Sequence, residues 1–173
     1  QKLKAEYDAR LERMKREAIQ SGWLKPQAVY GIFPCQAEGE SLLVYDPAAL
    51  PNTRLLARFA FPRQPHDEFL CLADYFAPVG SGTLDLVAFQ VVTVGQQATD
   101  RFDAFQDKAD YSEGYFTHGL AVQTAEAAAE YLHRHIRREI GIPAGQGKRY
   151  SWGYPAIPEL EDHRKVFDLL PAE

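Results

Sequence analysis

At 173 residues, with 46% hydrophobic and 25% charged side chains, the chain has the size and composition of one globular domain and lies far from disordered or low-complexity sequence. A formal net charge of −5, with Lys and Arg scattered rather than gathered into a stripe, excludes the basic face that a nucleic-acid backbone requires. The longest apolar run, "DLVAFQVVTVG" at 85–95, is about half the length needed to cross a bilayer, so no membrane partner is expected.

Leu3, Tyr7, Leu11, Met14 and Ala18 recur at helical spacing from Lys2 to about Gln20, with Lys, Arg and Glu on the other face. This predicts an amphipathic helix, closed by Gly22 and barred from continuing by Pro26. Five strand-like runs follow, "QAVYGIFP", "ESLLVYD", "RLLARFAF", "FLCLADYF" and "TLDLVAFQVVTVG", separated by Gly, Pro, Asp and Asn clusters. The gaps leave no room for crossover helices between most of them, so neighbours should pair antiparallel. The "GSG" at 80–82 reads as a turn.

After Gly95 the pattern becomes alanine- and glutamate-rich and favours helix. A break is expected near Tyr111 to Gly114, giving a shorter and a longer helix, the latter ending at Gly141 before Pro143. "HRKVFDLL" closes the chain as one more short helix. Strands first and helices afterwards predict an α+β fold, an antiparallel twisted sheet with helices packed on one face, in a single domain over 1–173. Cys35 and Cys71 lie in apolar runs without CxxC spacing, which reads as buried, reduced thiols in a cytoplasmic protein. There is no basic-then-apolar leader, and with Gln1 first and Met14 the only methionine, the chain reads as a piece of something longer.

Catalytic signatures are absent: no GxSxG, HExxH, Walker A or GxGxxG occurs. His133 and His135 are two apart on a predicted helix, about 200° around its axis, so their rings point away from each other and no metal site is expected. Glu126 stands between alanines that would let a ligand approach it closely, and Glu130, one turn on, can pair with Arg134 on a solvated face. The richer signal is "RYSWGYPAIP" at 149–158, where Pro155 and Pro158 fix the chain, Gly153 permits a turn closed to other residues, and Arg149 offers a fork for an anion. Two readings stay open for it: a stiff ribbon presenting backbone groups, flat rings and a guanidinium to a ligand, or a proline-rich turn packed by its own aromatics.

This loop resembles the C-terminal activation domain of cobalamin-dependent methionine synthase, whose S-adenosylmethionine (AdoMet) loop reads R-x-x-x-G-Y-P-A-x-P. Arg149, Gly153, Tyr154, Pro155, Ala156 and Pro158 match it in register. "GIFPCQ" at 31–36, "CLADYFAP" at 71–78, "AEAAAEYLH" at 125–133 and the acidic segment running into "LL" are similar to the family in the same order. The resemblance implies AdoMet binding for reductive remethylation of inactive cob(II)alamin, the cobalamin being held by a partner domain and the electron coming from flavodoxin or a similar reductase. Within the larger enzyme this is methyltransferase chemistry, with no catalytic side chain of its own here. It further implies that Glu126 receives the ligand's ammonium and Arg149 its carboxylate, that backbone groups of Ser151 and Gly153 contact it, and that Tyr154 lines the face toward the corrin. The alternative is an interaction domain that caps the cobalamin module or docks the reductase without AdoMet. Tyr150, Ser151 and Trp152 stand where the family has small residues and prolines, and family segments at both ends have no counterpart in this chain.

Overall fold

A computed structural model describes residues 2–172, the side chain of Lys2 excepted. The chain forms two compact units, one of residues 1–28 with 91–135 and the other of residues 29–90 with 136–173.

The first unit is helical. It contains α1 (Lys2–Ser21), α2 (Gln96–Asp107) and most of α3 (Tyr111–Glu139). The apolar stripe of α1 is buried only toward its C-terminal end, where Met14 is wholly inaccessible and Ala18 nearly so, while Leu3, Tyr7 and Leu11 remain exposed. Ala18 joins Trp23, Ala98 and Ala121 in a small core flanked by Leu24, Val94 and Leu120. The Gly22 N–H donates to the Ala18 carbonyl at 2.9 Å, closing α1 where the glycine is expected. Arg13 reaches Glu17 at 2.9 Å and Glu113 at 2.9 Å, tying α1 to the start of α3. Arg101 donates to Glu17 at 2.8 Å and lies over the Trp23 ring, which covers that core's polar edge.

The break between α2 and α3 falls at Lys108–Asp110, a few residues before the expected position. Asp110 accepts the Glu113 N–H at 3.2 Å, satisfying a donor of the first turn as a capping residue does. Gly114 is therefore helical, and its bare Cα lets α2 approach: a Cβ there would lie 2.9 Å from Gln106 Nε2 and 3.5 Å from Phe105 Cβ.

The second unit carries the sheet. Four strands, β1 (Gln27–Glu38), β2 (Ser41–Tyr45), β3 (Leu55–Ala60) and β4 (Asp85–Thr93), stand in the order β3-β2-β1-β4. β1 and β2 form an antiparallel hairpin with Cys35 opposite Val44, and β2 pairs antiparallel with β3, Leu42 opposite Phe59, with an irregularity between Val44 and Tyr45. Phe59 on β3 and Phe89 on β4 belong to the two edge strands, yet their ring centroids are 4.9 Å apart. Adjacent strands lie about 4.8 Å apart, so a flat four-stranded sheet would hold these rings far beyond contact. The sheet is curled until its edges converge on one aromatic cluster, which Phe33 joins at 6.0 Å from Phe89. α4 (Asp162–Leu169) follows, its Lys165 amine above the Phe59 ring and donating to the Arg58 carbonyl at 2.9 Å.

The segregation of strands from helices agrees with the α+β expectation, but among the described residues there are four strands rather than five. "FLCLADYF" is not a strand: Leu72–Tyr75 is a single 3-10 turn. Arg63 explains why. Its guanidinium grips Asp74 through two bonds of 2.6 and 2.7 Å, the Phe69 carbonyl at 2.7 Å and Glu40 at 3.0 Å. Asp67 and Phe69, with φ of 60° and 53°, bend the chain out of any extended path. The beginning of "CLADYFAP" supplies this turn, and its end meets β1, where Ala37 and Pro78 form an isolated parallel bridge. Cys35 and Cys71 are both reduced and buried, as expected.

Candidate functional site

The closing loop owes its shape to two reverse-turn bonds. The Gly153 N–H donates to the Ile157 carbonyl at 3.0 Å and the Ile157 N–H to the Tyr154 carbonyl at 2.9 Å, with Pro155 and Ala156 at the corner. Ile157 is buried and anchors the turn from below. Gly153 has φ 88°, a backbone region that side chains with a Cβ rarely enter. Because its N–H is spent inside the turn, the carbonyl is the backbone group of Gly153 that can meet a ligand.

Arg149 is half-buried, and its Nη1 donates to Ser151 Oγ at 3.4 Å. The three aromatic side chains of the loop separate into two roles. Tyr150 and Tyr154 are exposed, Tyr154 by 64%, and present flat surfaces outward. Trp152 turns inward, its ring centroid 5.9 Å from Phe59, 6.1 Å from Phe89 and 5.8 Å from His163. One ring is thus packed, against the sheet's cluster rather than its loop neighbours, and the other two face outward.

Arg149, Ser151, Gly153 and Tyr154 come together in this one loop of the second unit. Glu126 belongs to the first unit, exposed on α3 between Ala125 and Ala127. The first unit has an open apolar cleft of about 460 Å³ lined by Pro26, Ala28, Thr124, Ala128 and Tyr131 among others. Thr124 and Ala128 are each two residues from Glu126, about 200° around the helix, so the carboxylate does not face that cleft. Glu130 pairs with Arg134 at 3.2 Å, the i,i+4 contact expected of a solvated face.

Sequence reasoning missed the inward turn of Trp152. The available signal was its place between Ser151 and Gly153, small residues that leave a large ring room to fold beneath the chain.

Residues 5–173 match the family model for the vitamin B12 dependent methionine synthase activation domain. The chain belongs to this family. As an activation domain it matches along both units, and the α+β architecture inferred from the sequence is the family's. The methionine synthase of Mycobacterium tuberculosis is 34% identical over 168 residues, covering 84% of this chain, and that of Mycobacterium leprae is 33% identical with the same coverage. The chain spans only 14% of the length of either relative. Among solved structures, a MetH reactivation domain bound to AdoHcy superposes with a TM-score of 0.85 at 28% identity, covering 98% of this chain and 57% of that one.

Proposed function

We propose that this activation domain binds AdoMet and serves the reductive remethylation of cob(II)alamin in a cobalamin-dependent methionine synthase. The observation that carries the reading is the likeness, over 98% of the chain, to a reactivation domain bound to AdoHcy, the product AdoMet becomes when its methyl group is gone. The chemistry of the loop fits such a ligand. A half-buried guanidinium suits a carboxylate better than an exposed lysine would, because its planar fork gives two parallel bonds. A glycine with φ 88° at residue 153 brings bare backbone to the surface.

In this reading Arg149 binds the amino-acid carboxylate, and backbone groups of Ser151 and the Gly153 carbonyl orient the ligand. Tyr154 forms the wall toward the corrin, and Glu126 takes the ammonium. AdoMet supplies, when bound, a methyl group on a sulfonium that is already a good leaving group. The domain's residues accordingly bind and orient and need move no proton. Cobalamin belongs to a neighbouring domain of the parent enzyme, and the electron comes from flavodoxin or a similar reductase docking there. Methyl transfer is then a property of the whole synthase, and this chain alone binds without turnover.

Calorimetric titration of AdoHcy and AdoMet into the chain tests the reading, beside Arg149→Ala and Glu126→Gln. Saturable binding by the wild type that weakens at least about ten-fold in Arg149→Ala, roughly 1.4 kcal/mol, supports it. Absence of binding by the wild type refutes it and favours a domain that only caps or docks.

A further inference from the structure

We infer that Trp152 is a positioning residue for the ligand loop: its indole is wedged into the seam where the sheet's two edge strands converge, and ring packing there sets where Arg149 and Gly153 stand. The inference rests on the AdoMet reading above and adds to it a residue that makes no contact with the ligand.

Three observations carry it. The ring meets Phe59 of β3 and Phe89 of β4 at once, at 5.9 and 6.1 Å, and His163 in the first turn of α4 at 5.8 Å. It therefore touches both margins of the curled sheet and the closing helix from a single point of the loop. Next, residues 143–148 are all exposed, so after α3 the chain reaches the aromatic cluster first through Trp152. Arg149, three residues earlier, leans on Ser151, the immediate neighbour of the wedge. On the other side the Gly153–Ile157 turn and the buried Ile157 form a second anchor. Ser151 and Gly153, whose backbone groups the ligand reading uses, thus flank the ring directly. Finally, the indole Nε1 is buried, and among the described residues it has no hydrogen-bond acceptor. The side chain is held by the faces and edges of rings, which another flat ring can imitate.

If ring packing is what matters, Trp152→Phe retains AdoHcy affinity within about three-fold, whereas Trp152→Ala loses at least about ten-fold while circular dichroism shows the sheet intact. A spectroscopic readout separates positioning from mere stability. Trp23 and Trp152 are the only tryptophans, so in a Trp23→Phe background the emission belongs to Trp152 alone. That emission should change on AdoHcy addition and saturate at the calorimetric Kd. Trp152→Ala that folds and binds like wild type overturns the inference. So does a Trp152→Phe chain as weak as the alanine variant, since the N–H would then be the active part. If Trp152→Ala does not fold, unchanged Trp152 emission at saturating AdoHcy overturns it by itself. Failure of the wild type to bind AdoHcy is a different result: it removes the proposed function and this inference with it.

Discussion

Replacing Gly153 by alanine should damage the loop in a way that can be apportioned. Gly153 has φ 88°, and holding an L-residue at positive φ costs roughly 1–2 kcal/mol. The added Cβ would also lie 3.2 Å from Leu160 Cδ2. Leu160 is 56% exposed, so the tip of its side chain can give by a few tenths of an ångström, and the backbone cost should dominate. Gly80 supplies the control: its φ is 87°, and a Cβ there meets nothing within 4 Å. Gly80→Ala therefore isolates the backbone cost. For a chain of this size about 1 kcal/mol corresponds to 2–4 °C of melting temperature, so both variants should melt roughly 2–8 °C below wild type, Gly153→Ala slightly the lower. Only Gly153→Ala should also lose AdoHcy affinity, measured by calorimetry at a temperature where both remain folded. A Gly153→Ala chain that melts with the wild type would refute the reasoning, because the loop would then have relaxed to a conformation open to any residue. Equal affinity in the two variants would detach Gly153 from the ligand.

Two further expectations concern pH. Burial, reinforced by Asp85, pushes the Cys35 thiol from 9.0 up to about 12; the folded protein keeps this proton after the unfolded chain has released it. Stability should therefore be insensitive to Cys35 below about pH 9, and Cys35 should withdraw up to ~4 kcal/mol toward pH 12; urea unfolding across that range should show a slope that Cys35→Ala makes shallower, the remainder coming from Tyr30 and Tyr45, whose hydroxyls are also shifted upward. At the acid end, the Arg63 guanidinium holds Asp74 below its ordinary 3.8, and hydrogen bonds from Arg54 and the Ala48 N–H do the same for Asp46. Folded-state carboxylates of lowered pKa contribute stability above about pH 4 that is lost as they protonate, so the melting temperature should fall on acidification, and less steeply in Arg63→Gln.

The features most legible in the sequence were those set by local chemistry. α1 ends at Gly22 because a glycine followed by Pro26 can do little else, and α4 runs from Asp162 to Leu169, one residue off its expected span. Errors came where a distant side chain decided the outcome. Leu70, Leu72 and Tyr75 have strand-like composition, yet Arg63 bends their segment through Asp74, a contact across eleven residues that no short-range pattern encodes. The helix break, expected near Tyr111 to Gly114, lies a few residues earlier. Asp110 and Glu113, the spacing of a capping box, marked the true start, and Gly114 was needed for the close approach of Phe105 and Gln106. At the loop, the matching residues pointed to a ligand, but composition could not say which ring would turn inward. That depended on the seam between Phe59 and Phe89, thirty residues apart in the chain and brought together only by the curl of the sheet.

The grip of Arg63 also marks where this domain can be lengthened. Gln64 and Leu70 exchange hydrogen bonds across the neck of the loop, the Leu70 carbonyl accepting at 2.9 Å and the Gln64 side chain at 3.4 Å, just beyond the guanidinium that fastens its base. Residues 64–70 are all exposed. The loop's ends are held together regardless of what lies between them, and closing a longer loop adds only about 0.6 kcal/mol per doubling of its length. The His66–Asp67 peptide is thus a natural insertion point for an epitope or an affinity handle, outside the strands of the sheet.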